Sequence, residues 1–300
     1  MNLFLKSWQS GRAFLAALAV VVLTLGLTAS LRAQSLGWEG ETGIFVTPLA
    51  YTAASETHKL EPVVAYHYFN AGSVIGDFHE VSITMGVLNR FEFGYTHDLH
   101  TAGSNAALSP LWNDGFNVFH GKALLIKEKK EWVPAVSVGF MARTQVRNVG
   151  DAPYANGNNN ADFYAAASKT VTQTKPIPVV LSAGVRGTNA ELWGMGGNAP
   201  DWQARAFGAL AFVFKGPARS TIIVGSEVAQ QPHHPYGFSN ATDTAILNIP
   251  TTLTYCVRFV PTTKQKLNFD FGIAQIAGNV APGIDLNARH QAGVQVSYGF

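Results

Sequence analysis

The sequence predicts an all-β protein, a transmembrane antiparallel up-and-down β-barrel of about twelve strands, within a range of ten to fourteen. Three observations point there. Apolar and polar residues alternate in short segments along most of the chain. Short and long linkers take turns between those segments. After the first thirty residues, no stretch supplies the roughly 20 unbroken apolar residues that a spanning helix needs.

The last segment shows the period most clearly. Ala292, Val294, Val296, Tyr298 and Phe300 alternate with Gln291, Gly293, Gln295, Ser297 and Gly299. Neighbouring residues of a strand face opposite sides, so one row meets lipid and the other the lumen. Eleven further segments follow the same rule with more or less regularity. They are 60–69, 81–87, 91–96, 116–127, 136–143, 161–172, 179–186, 203–215, 219–229, 252–259 and 267–273. A soluble sandwich would alternate as well, so the linkers carry the decision. The short ones are 89–90, 128–131, 173–177, 216–218 and 261–265. The long ones are 70–79, 100–115, 147–160, 189–202, 230–248 and 277–288. Membrane barrels have short turns at one end and long loops at the other. An even strand number then returns residue 60 to the end where Phe300 lies, and the first and last strands should pair.

Composition agrees. Charged residues are 13% of the 300, Gly numbers 29, and the net charge is +2 with no basic cluster, which excludes nucleic acid as a partner. Cys256 is the single cysteine, so no internal disulfide can form and no lipoprotein anchor is available. Lys6 and Arg12 precede an apolar run from Ala13 to Leu27, with small residues at Ala29 and Ala33. That is the layout of a cleaved export signal. The expected organisation is therefore a signal peptide at 1–33, a periplasmic lead-in or lumen segment at 34–59, and the barrel at 60–300. Pro48 keeps residues 42–50 from being a central strand.

The ending on Tyr298 and Phe300 resembles the C-terminal insertion signal of outer-membrane barrels. The resemblance implies a bacterial, Gram-negative outer membrane and insertion by the barrel-assembly machinery. Outer-membrane lipid and lipopolysaccharide would then surround the wall. Trp132, Phe214, Phe259, Tyr298 and Phe300 fall near the periplasmic rim, and Tyr68 and Phe163 near the other. Aromatic rings suit both interfaces. The Gly-x-x-x-Thr-Pro-x-Ala run at 43–50, with residues 81–96, resembles uncharacterised and exopolysaccharide-associated outer-membrane barrels. That likeness implies company with polysaccharide export.

No enzyme signature is present: no G-x-S-x-G elbow, no H-E-x-x-H helix, no Walker loop and no C-x-x-C. The chain is expected to be no enzyme and to need no cofactor or metal, with His233-His234 and the glycines at 194–197 as plain loop residues. Some barrels of this strand number cleave lipids with a Ser-His pair; Ser104, Ser109, His97, His100 and His120 are the residues available. Parity instead singles out an inward set. Lys122, Arg143, Arg186, Arg205, Arg258 and Arg289 should line the lumen with Glu92, Asp98, Asp162, Glu227 and Asp270. Charges on the lipid side would each cost up to a few kcal/mol. Two functions are open. In one, the Arg row serves a passive channel or binding barrel for small polar solutes, anionic ones included; strand number and Arg supply resemble twelve-stranded porins for acidic oligosaccharides. In the other, the charges pair across a plugged lumen in a structural or assembly barrel linked to polysaccharide export. The barrel is expected to be monomeric or loosely oligomeric.

Overall fold

Segments with a period of two leave every backbone N–H and C=O at their edges to be paired, and a membrane offers no water to pair them. Closure into a ring is the solution. In a computed structural model the chain takes it. The structure describes residues 35–53, 60–72, 76–103, 115–130, 132–146, 159–172, 177–195, 198–235, 246–261, 267–276, 279–281, 284–285 and 288–300. The signal peptide expected over 1–33 lies outside these.

The described residues form one closed antiparallel barrel of twelve strands. In chain order these are β1 (Glu61–Asn70), β2 (Gly76–Val87), β3 (Phe91–Ala102), β4 (Gly115–Ile126), β5 (Ala135–Thr144) and β6 (Asn159–Val171). The second half contains β7 (Val179–Ala190), β8 (Asn198–Lys215), β9 (Thr221–Ala229), β10 (Thr252–Val260), β11 (Leu267–Ile276) and β12 (Ala288–Gly299). Each strand pairs with its sequence neighbour, and β12 closes on β1 from Val63↔Gly299 to Phe69↔Gly293. The seam ends with the Phe300 N–H donating to the Pro62 carbonyl at 3.0 Å. Strand number, order and seam are those the linker pattern predicts.

The linker pattern overstates two loops. Residues 76–79 belong to β2 and 198–202 to β8, which leaves connections of 71–75 and 191–197. Outward positions there are polar or interfacial, so they do not read as apolar alternation. Asp77 accepts from the Tyr68 hydroxyl at 3.0 Å, and Trp202 stacks on Phe163 with centroids 5.7 Å apart. Two short ladders decorate the long-loop end, His233–Pro235 with Ile246–Asn248 and Asn279–Ala281 with Ile284–Asp285. At the other end β2 and β3 meet in a tight turn, where Leu88 and Asn89 both have positive φ and Arg90 N–H donates to Val87. That is the geometry whose twist suits a hairpin.

The wall is apolar outside. Val81, Ile83, Phe91, Phe93, Phe119, Val185, Tyr255, Phe271 and Val296 are exposed, while their neighbours along each strand are buried or half-buried. Inside lies the core, and it is built on residues 35–53. Almost every one of them is buried. Trp38 packs edge-on against Phe69 and near Phe78, with ring centroids 5.4 and 6.4 Å away. Phe45 lies over Gly272 and Gly293, which face each other across β11 and β12. A Cβ on either glycine would stand 2.8–2.9 Å from the ring, so only glycine admits it. Gly272→Ala is therefore expected to lower stability by about 1–3 kcal/mol through overpacking. The temperature of the heat-modifiability shift on gels would measure it.

Candidate functional site

Within a barrel, hydrogen-bonded neighbours share a face, so inward side chains form transverse rows. One such row crosses six strands: Arg258, Asp270, Gln295, His67, Glu80 and Asp98. A second contains Glu92, Lys122, Gly139, Tyr164, Arg186 and Arg205. Lys122, Arg143, Arg186, Arg258, Glu92, Asp98, Glu227 and Asp270 are all buried on the inward side. Arg205 is half-buried near the long-loop end, where its Nε donates to the Gln231 carbonyl at 2.8 Å. Arg289 lies in β12, but its side chain is outside the described residues.

These charges meet the segment 35–53 and one another. Glu92 accepts from the Thr42 N–H at 2.8 Å, the Thr42 hydroxyl at 2.5 Å and the Ala53 N–H at 2.6 Å. Lys122 stands 3.0 Å from Glu92 and donates to the carbonyls of Thr42 and Tyr51 at 2.7 and 3.1 Å. Glu227 accepts three successive N–H groups, from Phe45, Val46 and Thr47, plus the Thr47 hydroxyl at 2.6 Å. Three consecutive N–H groups turned to one carboxylate form an anion nest, here filled by the wall itself. Arg258 holds Asp270 at 2.8 Å and donates to the Ile44 carbonyl at 2.5 Å.

Arg143 sits at the centre of a separate cluster. It donates through Nε and Nη2 to Glu39 of the segment, the latter at 2.6 Å. It also holds Asp162 at 2.9 Å, and Asp162 is shared with Arg186 at 3.5 Å. The lumen expected to present arginines to a solute thus engages Arg143, Arg186 and Arg258 with carboxylates, and Arg143 and Arg258 with the inserted segment as well. Thr84 and Thr96 donate to the carbonyls of Gly40 and Glu39, and Gln295 to that of Leu36.

On the long-loop side, the connection after β7 also packs inward. Glu191, Leu192, Trp193 and Gly194, expected in a solvent loop, are buried. Leu192 and Trp193 both take the left-handed backbone, with φ +47° and +55°. That conformation is strained for such side chains. Arg186 lies over the Trp193 ring at 5.9 Å, and Gln231 accepts from the Leu192 N–H at 3.0 Å. Burial pushes the Glu191 carboxyl up to about 9, with Arg186 and Arg205 pulling the other way. Between about 4.5 and 9 the native state then holds a proton that the unfolded state has released, so the seating of this loop weakens as pH rises through that window. Trp193 fluorescence should shift toward that of an exposed indole between pH 5 and 9, and Glu191→Gln should abolish the dependence. In the inserted segment, burial and then the nearby charge of Glu39 hold Glu41 well above the usual carboxylate range.

Among the described residues considered for lipid cleavage, the three histidines do not share one site. Ser104 and Ser109 lie outside the described residues. His97 faces outward and bonds Asn117 at 2.9 Å, whereas His120 points inward to Thr84 at 3.1 Å and His100 sits opposite Phe78. Sequence parity missed Glu39, because it lies in no strand, and passed over His67 and Glu80 on the short alternation of β1 and β2. Gly37, Gly40 and Gly43 were the available signal for the inserted segment, since they permit its tight reversals around Glu41.

An apolar outer wall, a closed ring of twelve strands and a charged, occupied interior define an outer-membrane-type β-barrel. The chain belongs to the family described as Protein of unknown function (DUF3034), whose model matches residues 35–249. That extent takes in the inserted segment and β1 to β9. A comparison with curated proteins finds no match. Among solved structures the chain is similar to the NanC porin, at 10% identity over 81% of this chain and 99% of that one, with a TM-score of 0.42. It is similar to the COG4313 outer membrane channel from Pseudomonas putida F1, at 12% identity over 85% and 97%, with a TM-score of 0.42. Wzi, an outer membrane protein involved in group 1 capsule assembly in Escherichia coli, matches at 10% identity over 79% and 55%, with a TM-score of 0.29.

Proposed function

We propose that this protein is an outer-membrane barrel closed by its own residues 35–53, with a structural or assembly role, rather than a constitutively open pore. One observation carries the reading: the lumen charges of Glu92, Glu227, Lys122 and Arg258 are spent on the backbone of that segment. Phe300 and the short turns face the periplasm in this reading, and the long loops face out. A link to polysaccharide export rests on the sequence resemblance alone.

Passage of small polar solutes is the second reading, favoured by the basic residues that the wall would present if the segment withdrew. Planar-bilayer recording separates the two. The full chain should be electrically silent, and a variant lacking 35–53 that still runs as a folded barrel should conduct. Steady conductance of the full chain would overturn the plugged reading. Cell fractionation tests the location, which should be the outer membrane.

A further inference from the structure

The wall treats residues 35–53 as a polypeptide more than as a particular sequence. Glu92 takes the N–H groups of Thr42 and Ala53, Glu227 those of Phe45, Val46 and Thr47, and Ser168 that of Ala50 at 2.8 Å. Lys122 donates to the carbonyls of Thr42 and Tyr51, Arg258 to that of Ile44, and Gln295 to that of Leu36 at 2.7 Å. Every one of these partners is a main-chain group that any peptide carries. Side chains are read at fewer points: the hydroxyls of Ser35, Thr42, Thr47 and Tyr51 by Asp270, Glu92, Glu227 and Glu128, Glu39 by Arg143, Trp38 by Phe69, and Phe45 by the two glycines beneath it.

We propose that the lumen is a peptide-binding site that recognises main chain first, so that the resident segment can be exchanged for another polypeptide strand. In strand-recognition sites generally, main-chain hydrogen bonds supply affinity and a few pockets supply selectivity. Here the pockets call for an aromatic-acidic pair and a second aromatic, as in Trp38, Glu39 and Phe45. A saccharide offers hydroxyl groups but no run of three convergent N–H donors for Glu227, so the ligand class is peptide. The inference rests on the plugged reading above, yet it can fail without it.

The test uses the full chain with a protease site engineered between Ala53 and Leu60. After folding and cleavage, dye-labelled synthetic peptide 35–53 is added. Labelled peptide should enter the barrel, saturate at one per barrel, and be chased by unlabelled peptide. Refolding the cleaved chain with excess labelled peptide removes slow exit of the resident segment as an obstacle. At one position the two kinds of recognition can be compared. N-methylation of Val46 removes its N–H to Glu227 and should weaken binding tenfold or more, and Val46→Ala should weaken it less. No uptake under either protocol would overturn the proposal, as would Val46→Ala costing more than N-methylation. Displacement of the peptide by an acidic oligosaccharide would reassign the lumen to saccharide. If uptake fails while the full chain is silent and the deletion conducts, the plug stands and the peptide site falls.

Discussion

Arg143→Met is expected to destabilise the barrel by about 3–5 kcal/mol, the usual cost of removing one partner from a buried ion pair. The guanidinium is fully enclosed and holds two carboxylates, Glu39 from the inserted segment and Asp162 from β6. Taking it away leaves Glu39 with no hydrogen-bonded cation among the described residues, only the more distant charge of Arg186, and Asp162 with Arg186 alone at 3.5 Å. Methionine fills much the same volume, so the loss would report charge and not a cavity. Heat-modifiability on gels gives the transition, and the double variant Arg143→Met with Glu39→Gln should recover part of the loss. An unchanged transition would mean that the cluster is not the clamp described above.

The second large effect is at Glu227. A carboxylate there accepts three N–H groups and one hydroxyl. In Glu227→Gln the amide oxygen takes the place of Oε1 and keeps its contacts, while the amide nitrogen brings donors to the place of Oε2, so the Val46 N–H loses its 3.1 Å acceptor in a dry site. Each such orphan costs about 1–3 kcal/mol. One such loss should weaken the seating of residues 44–47 by about tenfold to a hundredfold. The readouts are frequent openings in planar bilayers and faster proteolysis within 35–53, with the barrel itself still folded. A silent, protease-resistant variant would show that the nest contributes little.

Most of the wall was legible in the sequence and most of the lumen was not, for different reasons. A strand in a membrane must alternate, so Phe91 to Thr96 or Leu253 to Phe259 show their two faces directly. Alternation also places Arg143, Glu227 and Arg258 inside. It says nothing about what they touch there, because their partners come from a segment with no period at all. Residues 35–53 turn on glycines and bond through their backbone, so neither hydrophobic pattern nor motif betrays where they go. Asp77 and Trp202 mark the opposite difficulty, where strands outlast the apolar band and interfacial residues look like loop.

The seam has a consequence for how the ring is assembled. Closing β12 onto β1 joins segments from opposite ends of the chain, and such long-range pairing is slow because the loop entropy is lost before the contact forms. The segment just before β1 already reaches across that gap. Ser35 donates to Asp270 of β11 and Leu36 accepts from Gln295 of β12, contacts separated by 235 and 259 residues. Residues 35 and 36 therefore bind the last two strands from inside the seam, so the occupant of the lumen also ties together the two ends of the chain that the ring joins.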